Sequence, residues 1–306
     1  MLCRFSSTGP TSSLWKARVM PSFWWTRIRK FVNSKIFRKL VVIVFIVSVY
    51  TACVNKFEHL IFAEELDFAN SFTAFLGAVL SLLLVFRTNG AYDRWWEGRK
   101  LWGRLVNDCR NLTVKVVVLS QVSADEKREM CHWIQAFPIL LKNHLRWQGD
   151  SEERRALGIP AEVGHAPGYA TQKIYDLLQA WREAGKLDGF AFLAIDTHVQ
   201  ALLDICGACE RILKTPLPLS HRALIPQVLL LYIFVIPWGV PNHVGAVALM
   251  ALLTYFMVGL ELVAEGLEEP FRLSDDGLTL DSLCETIRVS TQERLEQALA
   301  PTPDVL

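Results

Sequence analysis

Long apolar runs without charged side chains are the clearest pattern along the chain. One run covers 68–86 and holds 19 uncharged residues, and another covers 223–260, with 38 residues free of Asp, Glu, Lys and Arg. The longer run is interrupted in its middle by Pro241-Asn242-His243. Because about 20 helical residues cross the hydrocarbon core of a bilayer, the first run predicts one membrane-spanning helix. The second predicts two such helices joined by a short turn.

A further run, 40–54, is only 15 residues long, which also fits a buried helix of a soluble protein. Arg38 and Lys39 precede it, after several aromatic residues, and such flanks are typical of a membrane interface. We therefore expect a spanning helix that extends through 55–60. The leader 1–39 lacks the early apolar region and cleavage site of a signal peptide, so we expect a cytoplasmic segment lying on the membrane surface.

Charge is sorted strongly along the chain, although its total is only +1. The net charge is +9 over 1–40, −3 over 41–86, +3 over 87–222 and −8 over 223–306. Since Lys and Arg favour the cytoplasmic side, this order predicts a multi-pass protein of the cell inner membrane with both termini in the cytoplasm. Apolar content and ten Trp exclude intrinsic disorder, and seven irregularly spaced Cys exclude a disulfide-stapled secreted domain.

These patterns predict an all-α membrane protein whose four transmembrane helices continue into a cytoplasmic helical domain. Within the cytoplasmic part, we expect a loop over 149–172, which is rich in Gly and Pro, and helices over 173–184 and 189–214. The predicted division has five parts: a basic and aromatic interfacial segment (1–39), two transmembrane helices with an acidic outer loop (40–86), the cytoplasmic domain (87–222), two further transmembrane helices (223–264) and an acidic cytoplasmic segment (265–306).

Candidate chemistry is sparse. Cys206 and Cys209 have the spacing of a dithiol redox motif, but they fall in the middle of a predicted helix on its apolar face, which favours core packing. His144 lies between apolar neighbours and is typical of a hydrogen-bonded structural histidine. Asp275 and Asp276 are weak candidates for a cation site. We expect no catalytic residue, no metal or other cofactor, no enzymatic activity and no nucleic-acid partner.

The 68–86 run carries Ala78, Leu82 and Phe86 at i, i+4 and i+8, which places them on one helical face. Such a face fits lipid contact or bundle packing, and the small residues nearby also fit close helix association. The spacing alone does not distinguish association within one chain from association around a ring of copies.

Residues 86–103, FRTNGAYDRWWEGRKLWG, resemble the signature of the bestrophin family of ion channels. Three further stretches resemble family motifs in the expected order: Asn143–Arg146, Cys209–Ile212 with Thr215, Pro216 and Pro218, and Glu268–Phe271. Together they cover most of the chain, and they resemble the bacterial members more than the animal ones.

This resemblance implies a ring-shaped homopentamer in the lipid membrane that passes monovalent ions along an axial pore. By position, Ala78, Leu82 and Phe86 become a hydrophobic neck, and Phe190 becomes a second constriction at the cytoplasmic exit. Such rings offer no oxygen ligands, so they act as gates by dewetting rather than as selective sites. Animal members conduct anions and bind calcium in an acidic clasp, which is reduced here to Asp275 and Asp276, and bacterial relatives pass monovalent cations.

Acidic residues near both predicted pore ends favour cations. Glu64, Glu65 and Asp67 precede the pore helix on the outer side, and Asp188 and Asp196 flank Phe190. Negative groups around a low-dielectric mouth concentrate cations. We therefore expect a modest cation preference, with a chloride or other anion channel of the same family as the alternative. A secondary transporter and a membrane thiol-redox protein are less favoured alternatives.

Overall fold

The computed structural model describes residues 20–61, 67–149, 151–160, 162–239, 244–274 and 276–300. Every regular element in these ranges is a helix, which confirms the all-α class. The α-helices are α1 (Met20–Val32), α2 (Lys35–Ile61), α3 (Asp67–Leu119), α4 (Ala124–Leu145), α5 (Glu152–Ala156), α6 (Ala166–Glu183), α7 (Gly189–Lys214), α8 (Leu219–Val235), α9 (Val244–Glu268) and α10 (Leu280–Leu299). A 3-10 helix, Ile236–Gly239, follows α8.

Four described helices are long and apolar enough to cross a membrane: α2, α3, α7 and α9. The runs 40–54 and 68–86 fall within α2 and α3, and the helix predicted at 40–54 does continue, as far as Ile61. The third predicted span corresponds to α8 and the 3-10 helix, a shorter apolar segment. The turn predicted at Pro241-Asn242-His243 lies outside the described residues, as does the leader before Met20.

The chain forms two compact units, of which the first comprises Met1–Ser71 and Ile233–Gly259. Within it, Tyr50 of α2 connects two elements that are distant in sequence. Its hydroxyl donates to the Phe234 carbonyl at 2.9 Å and accepts from Trp238 Nε1 at 2.9 Å. The Tyr50 and Phe234 rings also stack with centroids 5.2 Å apart. This polar and aromatic contact fixes α2 against the 3-10 helix.

The second unit comprises Phe72–Tyr232 and Leu260–Leu306, and it holds the main hydrophobic core. There α4 packs against α6, α7 and α10, with α3 contributing Trp102, Leu105 and Leu112. The apolar face of α7 is buried in this core, which accounts for its hydropathy without a membrane. The exposed side of α3 carries Arg99, Arg104 and Arg110.

Two features of the second unit differ from the predicted boundaries. The loop predicted over 149–172 is wrong in part, because α5 forms within it and α6 begins at Ala166 rather than at 173. Pro167 lies in the first turn of α6, where a backbone N–H has no acceptor within the helix. A proline therefore loses no hydrogen bond at this position. His165 caps the same turn, since its Nδ1 accepts from the Gly168 N–H at 3.0 Å.

Candidate functional site

The predicted neck residues lie on a face of α3 that the chain itself does not cover. Leu82 is 55% exposed and Phe86 is 60% exposed, and Ala78 is also exposed. Leu80 and Leu84, on the opposite face, are almost completely buried. A single chain therefore leaves this apolar stripe free for lipid or for other copies.

Charged residues continue the same face beyond Phe86. At 3.6 residues per turn, Asp93 follows Phe86 by about two turns, Lys100 by about four and Arg104 by about five. All three side chains are exposed. Arg104 also approaches Asp108, with Nε 3.4 Å from Oδ2. Glu97 also falls on this face, about three turns after Phe86, and pairs with Arg211 at 2.8 Å. The stripe thus changes from apolar to charged, with acidic and basic residues both present, along one uninterrupted helix.

Helix α7 runs antiparallel to the second half of α3. Lys115 Nζ donates to the Ala194 carbonyl at 2.7 Å, and His198 Nδ1 lies 2.9 Å from Asp108 Oδ1. This register places Phe190, four residues before Ala194, level with the end of α3. With a rise of 1.5 Å per residue, Phe190 lies about 50 Å along the helix axis from Phe86. Its side chain is 86% exposed.

The acids predicted to surround the inner exit take part in local structure. Asp188 caps α7, because its Oδ1 accepts from the N–H groups of Phe190 at 2.7 Å and Ala191 at 3.3 Å. Asp196 accepts from the Tyr175 hydroxyl at 2.7 Å and from Gln200 at 2.6 Å. Burial, together with Asp196, raises the pKa of Tyr175.

Several predicted acidic sites fall at the limits of the described residues. Glu64, Glu65 and Asp275 lie outside them. Asp67 begins α3, but its side chain is not among those described. The Asp276 carbonyl accepts from Trp95 Nε1 at 3.1 Å, which ties the C-terminal region to the first motif.

Arg94 joins three of the four sequence motifs. Its guanidinium donates to the carbonyls of Ile212 at 2.6 Å, Thr215 at 2.7 Å and Glu268 at 3.1 Å. A planar guanidinium suits this role because it presents several donors in a fixed arrangement. The three acceptors lie at the end of α7, just beyond it and at the end of α9. The arginine therefore satisfies carbonyls that helix ends leave without partners.

Arg87 makes a buried ion pair directly after Phe86. Its Nε lies 2.8 Å and 2.7 Å from the two carboxylate oxygens of Glu261, and its Nη2 lies 3.6 Å from Glu268. Glu268 in turn pairs with Arg222 at 3.0 Å. The pairing fixes this turn of α3 against the last part of α9, and so fixes the rotation of the helix at Phe86.

The remaining motif, Asn143–Arg146, reaches the other motifs through the side chains of Arg146 and His144. Arg146 donates to the Phe271 carbonyl at 3.3 Å and to Asp281 at 2.9 Å. His144 Nε2 lies 2.7 Å from Glu210 Oε1, so the prediction of a hydrogen-bonded histidine is confirmed. The same carboxylate oxygen lies 3.0 Å from Nε2 of His165, a neighbour that the sequence did not indicate.

The cysteine pair has the properties of core residues. Cys206 and Cys209 are both buried in α7. Burial, reinforced by Glu210, raises the pKa of Cys206 to about 12, and burial also raises the pKa of Cys209. Since a thiolate is the reactive form, these values do not favour redox chemistry.

Comparison with known proteins identifies the family. A family model described as bacterial/fungal bestrophin protein matches residues 17–293. The chain belongs to the bestrophin family. The four motifs that meet around Arg94 and Arg146 are the stretches that resemble this family in sequence, so the bestrophin signature coincides with one interconnected cluster of the second unit.

Related bestrophin-family proteins include two that are named voltage-dependent anion channel-forming proteins. The one from Synechocystis is 33% identical over 231 residues, which covers 71% of this chain and 75% of that protein. The one from Mesorhizobium japonicum is 35% identical over 231 residues, covering 73% and 74%. A bacterial bestrophin homologue from Klebsiella pneumoniae, solved by crystallography, has the same fold with a TM-score of 0.75 and 23% identity, over 86% of this chain and 99% of that one.

Proposed function

We propose that this protein is an ion channel whose pore is lined by α3 helices from five copies of the chain. The observation that carries the proposal is the exposed stripe of Ala78, Leu82 and Phe86 in a single chain. Rings of Leu and Phe offer no oxygen ligands, so a narrow neck built from them gates hydrated ions by dewetting. The bestrophin family and the channel-forming names of the relatives agree with this function.

The exposed Phe190 forms a second constriction in this proposal. Asp188 holds the first turn of α7, and thereby the backbone at Phe190, through two capping hydrogen bonds. The channel lies in the inner membrane, with both termini and residues 87–222 in the cytoplasm. The neck and the constriction are then separated by a cytoplasmic conduit about 50 Å long, on the helical rise given above.

For the permeant ion, we infer a preference for anions. Beyond Phe86 the neck face carries the exposed Lys100 and Arg104, together with Asp93 and with Glu97, which pairs with Arg211 at 2.8 Å. The two basic side chains are the groups of this face that attract anions. The relatives named as anion channel-forming proteins support the same choice. The cation preference predicted from Glu64, Glu65 and Asp67, with Asp188 and Asp196, is the competing candidate, since the first three come directly before or at the start of α3 in the sequence.

Conduction through the neck is tested by Phe86→Ala in liposome flux or single-channel recordings. Truncation widens the apolar ring, so we expect increased flux, and Phe190→Ala is expected to change conductance as well. Phe45→Ala is the matched control, because Phe45 is an exposed phenylalanine of α2 outside the proposed lining. Wild-type flux in both Phe86→Ala and Phe190→Ala would refute this pore.

Selectivity is tested by the reversal potential in asymmetric potassium chloride. We expect it to follow the chloride gradient, and we expect the double variant Lys100→Gln/Arg104→Gln to shift it towards the cation value. Arg294→Gln, an exposed arginine of α10, is the control for charge alone. A wild-type reversal potential that follows the potassium gradient would select the cation candidate instead.

A further inference from the structure

Four side chains with metal-ligating atoms converge where three helices of the second unit meet. His144 lies in the last turn of α4, His165 caps α6, and Cys206 and Glu210 are one turn apart in α7. His144 Nε2, His165 Nε2 and a carboxylate oxygen of Glu210 all lie within 4.8 Å of one another. Cys206 Sγ lies 3.7 Å from His165 Nε2 and 4.0 Å from Glu210 Oε1.

We propose that His144, His165, Cys206 and Glu210 form a binding site for a divalent transition metal, with zinc as the best match. Zinc takes imidazole nitrogen, thiolate sulfur and carboxylate oxygen in four-coordinate tetrahedral sites. Such a site does not depend on which ion the protein conducts.

Three of the ligand atoms lie close together, and Cys206 Sγ lies near two of them. Cys206 does not belong to the set whose atoms all lie within 4.8 Å of one another, so its sulfur has to move towards His144 to complete a tetrahedron. With bonds of about 2.0–2.3 Å, neighbouring ligand atoms are about 3.3–3.8 Å apart. The separations from Cys206 Sγ, 3.7 Å and 4.0 Å, are already near this range. The separations of the two imidazole nitrogens from Glu210, 2.7 Å and 3.0 Å, are hydrogen-bond lengths. They open by about half an ångström to about one when the metal replaces the shared protons.

The charges also suit a divalent ion. The Glu210 carboxylate lies within hydrogen-bond distance of Lys214, His144 and His165. On binding, the metal displaces one proton from the Cys206 thiol to solvent. One thiolate and one carboxylate neutralise the charge of the ion. Lys214 Nζ stays 2.7 Å from Glu210 Oε2 and orients the carboxylate from outside.

Metal binding competes with one existing interaction. His165 Nδ1 accepts from the Gly168 N–H, so a neutral ring carries its proton on Nε2. Coordination through Nε2 moves that proton to Nδ1, and α6 loses its side-chain cap. The histidine is thus either a helix cap or a ligand, which makes the first turn of α6 sensitive to the metal.

The test is a cobalt titration of the purified full-length protein in detergent, after treatment with a chelator. Tetrahedral Co²⁺ bound to a thiolate gives visible d–d bands and a sulfur charge-transfer band, and both should saturate at one ion per chain. Added Zn²⁺ should abolish both. Cys206→Ser should remove the charge-transfer band, and His144→Ala/His165→Ala should weaken Co²⁺ binding by about 100-fold or more.

Two matched variants control for folding and for adventitious ligands. His132→Ala removes an exposed histidine of α4, and Cys209→Ser replaces the other buried cysteine of α7. Both should keep the cobalt spectrum, and circular dichroism checks that every variant is folded. A wild-type protein that binds no Co²⁺, or a charge-transfer band that persists in folded Cys206→Ser, would overturn the proposal.

Discussion

Separating Arg87 from Glu261 should destabilise the protein far more than breaking an exposed ion pair. Arg87 is 3% exposed and donates through Nε to both oxygens of Glu261 at 2.7–2.8 Å. Removing one member of a buried ion pair leaves an uncompensated charge and typically costs about 3–5 kcal/mol. Here Glu268 still lies 3.6 Å from Arg87 Nη2. We therefore expect Glu261→Met to cost about 3 kcal/mol, the lower end of that range.

The assay is a thermodynamic cycle of Arg87→Met, Glu261→Met and the double variant, measured by denaturant unfolding in detergent micelles. Each single variant should lose about 3 kcal/mol, and the double variant should recover most of that loss, because neither charge is then left alone. Arg211→Gln is the control, since it breaks an exposed ion pair. Arg211 lies 2.8 Å from Glu97, and the two side chains are 66% and 42% exposed, respectively. This variant should cost under about 1 kcal/mol.

If the double variant loses as much unfolding free energy as the two single variants together, the reasoning is refuted, because additivity means that the two charges do not compensate each other. Single-variant costs as small as that of Arg211→Gln would refute it equally. Ion flux through folded Arg87→Met gives a second measurement, since the pair fixes the rotation of α3 next to Phe86.

Two further predictions concern topology and pH. In intact cells, an impermeant thiol reagent should label single cysteines introduced at Glu65 and Asn242 but not at Pro160, and labelling at Pro160 would contradict the cytoplasmic assignment. A hydrogen bond from Lys186, with a smaller contribution from Ser123, lowers the pKa of Glu126 from 4.5 to about 2. Because the folded-state pKa is depressed, its stabilisation is present above pH 4.5 and is lost as the pH falls towards 2. The melting temperatures of wild type and Glu126→Gln should thus differ most above pH 5 and converge towards pH 2, and a constant difference would contradict this.

Helix class and approximate span positions follow from the sequence because they depend on local hydropathy. The 40–54 run illustrates the limit of that signal. Its apolar core is short, but α2 extends to Ile61 because a helix continues through polar residues once it has formed. In the same way, hydropathy places α7 among the candidate spans, whereas its buried residues lie in the core of the second unit. Composition does not distinguish these two reasons for an apolar face.

The sequence identifies the four motifs, but it does not predict the contacts through which Arg94 and Arg146 join them. Arg94 donates to backbone carbonyls, which every residue possesses, so nothing in the sequence at Ile212 or Thr215 marks them as acceptors. His165 was missed for a different reason. It lies in a Gly- and Pro-rich stretch typical of loops, and only the fold brings it to Glu210.

The length of α3 has a mechanical consequence. It is one helix of 53 residues, about 80 Å long, and no break lies between Phe86 and the pairing with α7 at Asp108 and Lys115. The Arg87–Glu261 pair holds the rotation of this helix next to Phe86. In the proposed channel, a rotation that turned Phe86 away from the axis would have to break that pair, and it would turn Lys100 and Arg104 as well. The width of the proposed neck and the charge facing the ion would then change together, at the expense of one buried ion pair.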